Sequence, residues 1–127
     1  MKRLIFVFFA LSIGLCLVGS AIAADRDAIQ SNVDGIVAAI NQGKDAGAVN
    51  PNDYSPYVFI MKQDGHLVVH PELAGKNLQE LAEPVYNALI NSTEEGTWVD
   101  YVWKEKQKHS YVRTTDNGLI VGSGYTE

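Results

Sequence analysis

The N-terminal segment constrains the rest of the chain most, because its pattern is that of a leader rather than of a folded domain. Lys2 and Arg3 are followed by an almost wholly apolar stretch over residues 4–18, and small residues at A-x-A spacing occupy 21–23. These are the three parts of a secretory signal peptide. We expect cleavage after Ala23 or Ala24, which leaves residues 25–127, the size of a small single domain.

The same segment has a second interpretation as a membrane anchor that is kept. Residues 4–24 contain only Ser12 and Ser20 as polar side chains, and about 20 apolar residues suffice to cross a bilayer. The small residues just before Asp25 favour cleavage. The sequence therefore predicts a periplasmic or secreted protein, with attachment to the plasma membrane through residues 4–24 as the alternative.

Cysteine usage and charge exclude several function classes. Cys16 is the only cysteine and lies in the leader, so the domain has no disulfide, thiol nucleophile or cysteine-based metal site. The chain carries 15 Asp and Glu against 10 Lys and Arg, a net charge of −5, and two of those cations belong to the leader. An acidic surface is a poor partner for phosphate backbones, which excludes nucleic acid as a partner.

The hydrophobic period changes along the chain and indicates the order of elements. Residues 25–47 have apolar positions at three- and four-residue spacing, which predicts a long helix ending near Gly43 or Gly47. β-branched and aromatic runs predict strands, and a second helical pattern separates two of them from three others. The resulting prediction is α+β, a five-stranded antiparallel sheet with helices on one side. The predicted strands are 57–61, 67–70, 97–103, 109–114 and 119–125, and the second helix is 78–91, with Pro84 expected to shorten or kink it.

Four short motifs in a fixed order resemble those of single Cache domains, the extracytoplasmic PAS-like sensor modules of chemoreceptors and sensor histidine kinases. Together they cover about residues 57–125. They are DGHLVVHP at 64–71 with LAGKNL at 73–78, GTWVDYVW at 96–103, KHSYV at 108–112 and GLIVGSGY at 118–125. The resemblance implies that residues 25–127 form one Cache domain, with a long N-terminal helix and a five-stranded antiparallel sheet flanked by helices.

The chain also departs from that family. The acidic turn that precedes the family's second helix is replaced by QELAEP at 79–84. Members of the family usually continue into a membrane helix and an output domain, whereas this chain ends at Glu127. We therefore expect signalling to need a partner, such as a membrane receptor or a kinase.

By resemblance, a Cache pocket lies between the sheet and the short helical segment and admits small organic acids or similar metabolites. Tyr and Trp side chains combine an apolar body with a polar end, and Lys or His would add a hydrogen bond to a carboxylate. No cofactor is implied. The predicted ligand-binding residues are His70, Tyr101, Trp103, Lys108 and Tyr111.

Each of these residues has a structural interpretation as well. The aromatic residues could form only the core of the sheet, and His70 could order the turn before Pro71 through a backbone hydrogen bond. Lys108 could be a solvated turn lysine, and it alternates away from Tyr111 unless the strand bulges.

Metal binding and catalysis are not predicted. His66 and His70 lie on a strand, where about 3.3 Å per residue puts them too far apart to share an ion. Ser123 lies in a Gly-Ser-Gly sequence that lacks the full G-x-S-x-G pattern, and close backbone packing explains glycines there better. Ser110 has no base placed beside it by the sequence pattern. We therefore do not expect an enzyme.

The sequence thus predicts an exported sensor domain that binds a short organic acid or similar metabolite and signals through a partner. The alternative is a periplasmic interaction module without a ligand. In that case the helix over residues 25–47 would mediate docking, including formation of a homodimer.

Overall fold

The computed structural model describes residues 13–127, with side chains described from Arg26 onward. The first half of the predicted leader, residues 1–12, lies outside this range. Within the described part, no helix combines the length and the apolar character needed to cross a membrane.

The long helix α1 spans Ile13–Asn41. It ends where Gly43 takes a φ of 112° and donates its N–H to the carbonyl of Ile40 at 2.9 Å, a glycine C-cap that satisfies one of the last carbonyls. The predicted helix is confirmed. It ends at the turn of Gly43, the first of the two predicted stops, and not at Gly47, and it begins before the predicted residue 25. The apolar residues that predicted it are all buried: Ile29, Val33, Ile36, Val37 and Ile40.

Five strands form one sheet in which all neighbours are antiparallel, in the order β2-β1-β5-β4-β3. The predicted α+β class is therefore confirmed. The C-terminal strand lies at the centre, because it pairs with β1 on one side and β4 on the other. The strands are β1 (Val58–Met61), β2 (Leu67–Val69), β3 (Thr97–Trp103), β4 (Lys106–Thr114) and β5 (Ile120–Thr126).

The second helical segment is divided into α2 (Leu78–Leu81) and α3 (Glu83–Leu89). Ala82 leaves helical geometry with φ −155° and ψ 75°. Pro84 then falls in the first turn of α3, where its missing N–H costs no hydrogen bond. The single helix predicted over 78–91 is thus two short helices. The break lies just before Pro84, the residue that was expected to shorten or kink the helix.

The sheet is covered on both faces. α1 packs over β4 and β5 and forms one core with Val58, Ile60 and Val121. α2 and α3 close the other face over Phe59, Met61 and Ile120. The prediction of helices on one side is therefore wrong. All four residues of β1 are buried, as expected for a strand that is covered on both faces.

Candidate functional site

A small pocket opens between the sheet and α2–α3, and we call it the Lys108 pocket. Its space is about 310 Å³, open solvent at the mouth included. The enclosed part is smaller than this, so the pocket suits a small molecule. It is lined by Tyr57, Phe59, Leu67, His70, Leu78, Val85, Leu89, Tyr101, Trp103 and Lys108.

The register of the β3–β4 hairpin brings the polar residues of the pocket together. Tyr101 on β3 is the direct cross-strand partner of Lys108 on β4, so their side chains share one face of the sheet. Trp103 lies two residues further along β3 and points to the same side. Four of the predicted ligand-binding residues, His70 included, therefore line one cavity.

Lys108 is the buried cation of this pocket, with only 6% of its surface exposed. Its Nζ donates to the Tyr57 hydroxyl at 3.0 Å and lies 4.6 Å from the centre of the Tyr57 ring. No carboxylate in the described part of the chain pairs with it. Because a buried charge normally needs a partner of opposite sign, the pocket presents a positive charge that this part of the chain does not neutralise.

His70 uses its two ring nitrogens differently. Nδ1 accepts the backbone N–H groups of Glu72 and Leu73, both at 3.0 Å, so the proton of the neutral ring is on Nε2. Burial, and then the positive charge of Lys108, lower the pKa of His70 to about 4. The residue therefore orders the turn, as the structural interpretation holds, and still offers a neutral Nε2–H donor from the pocket wall.

Tyr101 contributes a hydroxyl that stays protonated. It shares a hydrogen bond of 2.8 Å with the buried Ser110 hydroxyl, and burial raises the pKa of Tyr101 to about 12. The Ser123 hydroxyl donates to the carbonyl of Tyr57 at 2.8 Å. Both serines thus serve structural hydrogen bonds in the sheet.

Tyr111 lies on the opposite face of the sheet from the pocket, against α1. It pairs across the strands with Trp98, and its hydroxyl donates to Asp34 on α1 and to the Glu95 carbonyl, each at 3.2 Å. The prediction that Tyr111 shares a wall with Tyr101 and Trp103 is wrong. Tyr101 pairs with Lys108, so the pocket face carries the even-numbered residues of β4, and Tyr111 points to the opposite face. β4 has no bulge between Lys108 and Tyr111 that would change this.

The sequence analysis missed Tyr57 and Phe59 as pocket residues. Both belong to the run that predicted the first strand, and period-two alternation places them on the same face. Alternation along β1 could have shown that they share a face. The pairing of β1 with the central strand, in which Phe59 lies opposite Gly122, was also needed to place that face at the pocket. Nowhere in the described residues do three His, Cys, Asp or Glu side chains gather as a metal site would require.

A five-stranded antiparallel sheet between helical layers, with a small pocket on one face, is the architecture of PAS-like sensor domains. The family model dCache_2, described as Cache domain, matches residues 47–127. The chain belongs to the Cache domain family.

Comparison with individual proteins adds little beyond the family. A search of curated proteins gives no match. Among solved structures, the chain is similar to the ligand binding domain of Mlp24 with asparagine, at 16% sequence identity and a TM-score of 0.38. That match covers 55% of this chain and 28% of the other, so the matched part spans less than a third of the other chain.

Proposed function

We propose that this Cache domain is an extracytoplasmic sensor that binds a short organic acid in the Lys108 pocket. One observation carries the proposal: Lys108 is 6% exposed, and its hydrogen-bond partner is a phenol rather than a carboxylate. A ligand carboxylate would supply the missing negative charge. Hydrogen bonds between an ammonium and a carboxylate are about twice as strong as neutral ones.

The rest of the pocket suits the remainder of such a ligand. His70 offers a neutral donor through Nε2, and Tyr101 and Trp103 offer aromatic surface. The apolar side chains of Phe59 and Leu67 would contact a short carbon chain. The limited space of the pocket favours short acids, such as acetate or propionate, over larger ones. Tyr111 has no part in this proposal, because it lies across the sheet.

Binding would reach the cell through a partner. A ligand that binds one conformation of the domain better shifts the population toward it, and a membrane receptor or kinase would recognise the altered surface. The proposed location is the periplasm or the exterior, and N-terminal sequencing of the exported protein would show whether residues 1–24 are removed.

The test is a thermal-shift screen of the purified, exported protein with formate, acetate, propionate, succinate, aspartate and choline. A ligand that binds only the folded state raises the midpoint according to its concentration and dissociation constant. We expect a shift with a monocarboxylate and none with choline.

Two lysine variants show where the anion binds. Lys108→Met keeps the apolar stem and should lose the shift. Lys106→Met removes an exposed cation of the same strand and should keep it. A protein that melts cooperatively but responds to no acid, or an unchanged shift in Lys108→Met, would contradict the proposal.

A second candidate function is homodimerisation through α1, and Gly35 is the observation that favours it. This glycine is exposed within α1, shortly before its last turn, and a Cβ there would meet nothing within 4 Å. Glycine in a helix costs about 0.5–1 kcal/mol relative to alanine, so a close approach of a second helix would explain its presence. Light scattering should then show a dimer for the wild type and a monomer for Gly35→Gln, whereas two monomers would dismiss this candidate.

A further inference from the structure

The Lys108–Tyr57 contact has a consequence for affinity that rests on the proposed function. We propose that the Tyr57 hydroxyl is a built-in competitor of the ligand, which accepts the hydrogen bond of Lys108 while the pocket is empty and gives it up when an anion binds. Tyr57 would then lower the affinity of the site for the anion, although it does not itself bind the ligand.

The position of Tyr57 is fixed independently of Lys108. Its carbonyl accepts the hydroxyl of Ser123, a side chain with 0% exposure, at 2.8 Å. Its ring packs edge-on against His70, with ring centres 5.2 Å apart. The hydroxyl is therefore held at 3.0 Å from Nζ by the sheet and by the wall of the pocket.

The geometry at Lys108 favours replacement over sharing. Tyr57 and Lys108 both line the pocket, and the Tyr57 hydroxyl occupies one hydrogen-bonding position of Nζ at 3.0 Å. An acid that enters the pocket therefore meets this hydrogen bond at the ammonium group. The Lys108–Tyr57 hydrogen bond is the wall contact that a carboxylate can replace while giving Lys108 a stronger acceptor.

Tyr57→Phe tests this competition because it removes the hydroxyl and keeps the ring beside Lys108 and His70. The empty variant loses a hydrogen bond that the bound state does not use. We therefore expect a lower melting temperature without ligand, and tighter binding of acetate and propionate by about three- to tenfold in calorimetry. A purely structural role would lower stability and leave affinity equal or weaker.

Tyr101→Phe is the matched control, since its hydroxyl is bonded to Ser110 and not to Lys108. It should not tighten binding. A double-mutant cycle in urea provides a measurement without ligand: Tyr57→Phe should cost stability in the wild type and much less in Lys108→Met, while Tyr101→Phe should cost the same in both.

The outcomes separate this inference from the proposed function. Tighter binding by Tyr57→Phe, or binding by that variant alone, supports the competition. Equal or weaker binding by Tyr57→Phe overturns it and leaves the sensor proposal intact, as does a cycle that shows no coupling between Tyr57 and Lys108. Failure of both proteins to bind any acid overturns the sensor proposal and this inference with it.

Discussion

At the scale of single residues, the environment shifts the pKa values of two histidines in opposite directions. His70 is neutral because burial and Lys108 disfavour its cation. His109 lies on the other face of the sheet, and its pKa is raised, first by the hydrogen bond to Asp100 and also by Glu127. Their contributions to stability therefore depend on pH with opposite signs.

His70 should make the protein less stable in mild acid. Its pKa falls from 6.5 in the unfolded chain to about 4 in the fold, so the unfolded state binds more protons between these values. The contribution is fully present above pH 6.5 and is lost as the pH falls toward 4. His70→Asn keeps a side-chain oxygen that can accept backbone N–H groups and should flatten this part of the curve. Urea denaturation at pH 4, 5, 6 and 7 checks it, and parallel curves would refute it.

His109 should show the reverse dependence. Its raised pKa means that the folded state binds the proton more tightly, so the contribution is present below pH 6.5 and is lost as the pH rises through the folded value. We expect the difference in unfolding free energy between the wild type and His109→Gln to be larger at pH 6 than at pH 9. An NMR titration of His109 with a midpoint below 6.5 would oppose this expectation.

At the scale of elements, the five strands and α1 could be predicted from the sequence, whereas the division of the second helix into α2 and α3, and some ends and faces, could not. Local periodicity identified the helical patterns and the strands because it reflects burial along one segment. The choice between Gly43 and Gly47 as the end of α1 depends on where the chain must turn to reach β1, and one segment does not contain that information. The face of Tyr111 likewise depends on the register of β4 against β3, which alternation within a single strand leaves open.

The β3–β4 turn offers an element-scale prediction. Lys104 and Glu105 have φ of 54° and 67°, the left-handed geometry of a two-residue hairpin turn that favours Asn-Gly. Glu105→Gly should therefore stabilise the protein by about 0.5–1 kcal/mol, since a side chain in this region is strained. Lys106→Gly, within β4, is the control and should destabilise it. Urea midpoints measure both, and a loss of stability in Glu105→Gly would contradict the assigned geometry.

At the scale of the whole molecule, the pocket is assembled from segments that are distant in sequence. Three strands and two helices separate Tyr57 from Lys108 along the chain, and only the antiparallel sheet order brings them together. The predictions of His70, Tyr101, Trp103 and Lys108 came from the family resemblance. Alternation alone would place Tyr57 on the pocket face, but its contact with Lys108 depends on strands that are distant in sequence, and no local pattern contains it.

Gly122 on the central strand β5 lies beside Phe59, a residue of the pocket wall, and its substitution gives a prediction at this scale. A Cβ there would clash with the ring of Phe59 and approach Cγ1 of Val112 to 2.9 Å, which agrees with the close packing expected for these glycines. Gly122→Ala should therefore cost about 1–3 kcal/mol of unfolding free energy through overpacking. It should also weaken binding of any pocket ligand, because Phe59 lines the Lys108 pocket.

Gly47→Ala is the matched control for this substitution. Gly47 is exposed, and a Cβ there would come no closer than 3.7 Å to Asp45, an ordinary contact, so stability and binding should stay nearly unchanged. Urea denaturation of the two variants beside the wild type decides the matter. Equal stabilities for Gly122→Ala and Gly47→Ala would contradict this prediction. They would mean that the Phe59 ring moves aside at no cost in stability, although it packs between Gly122 and α3.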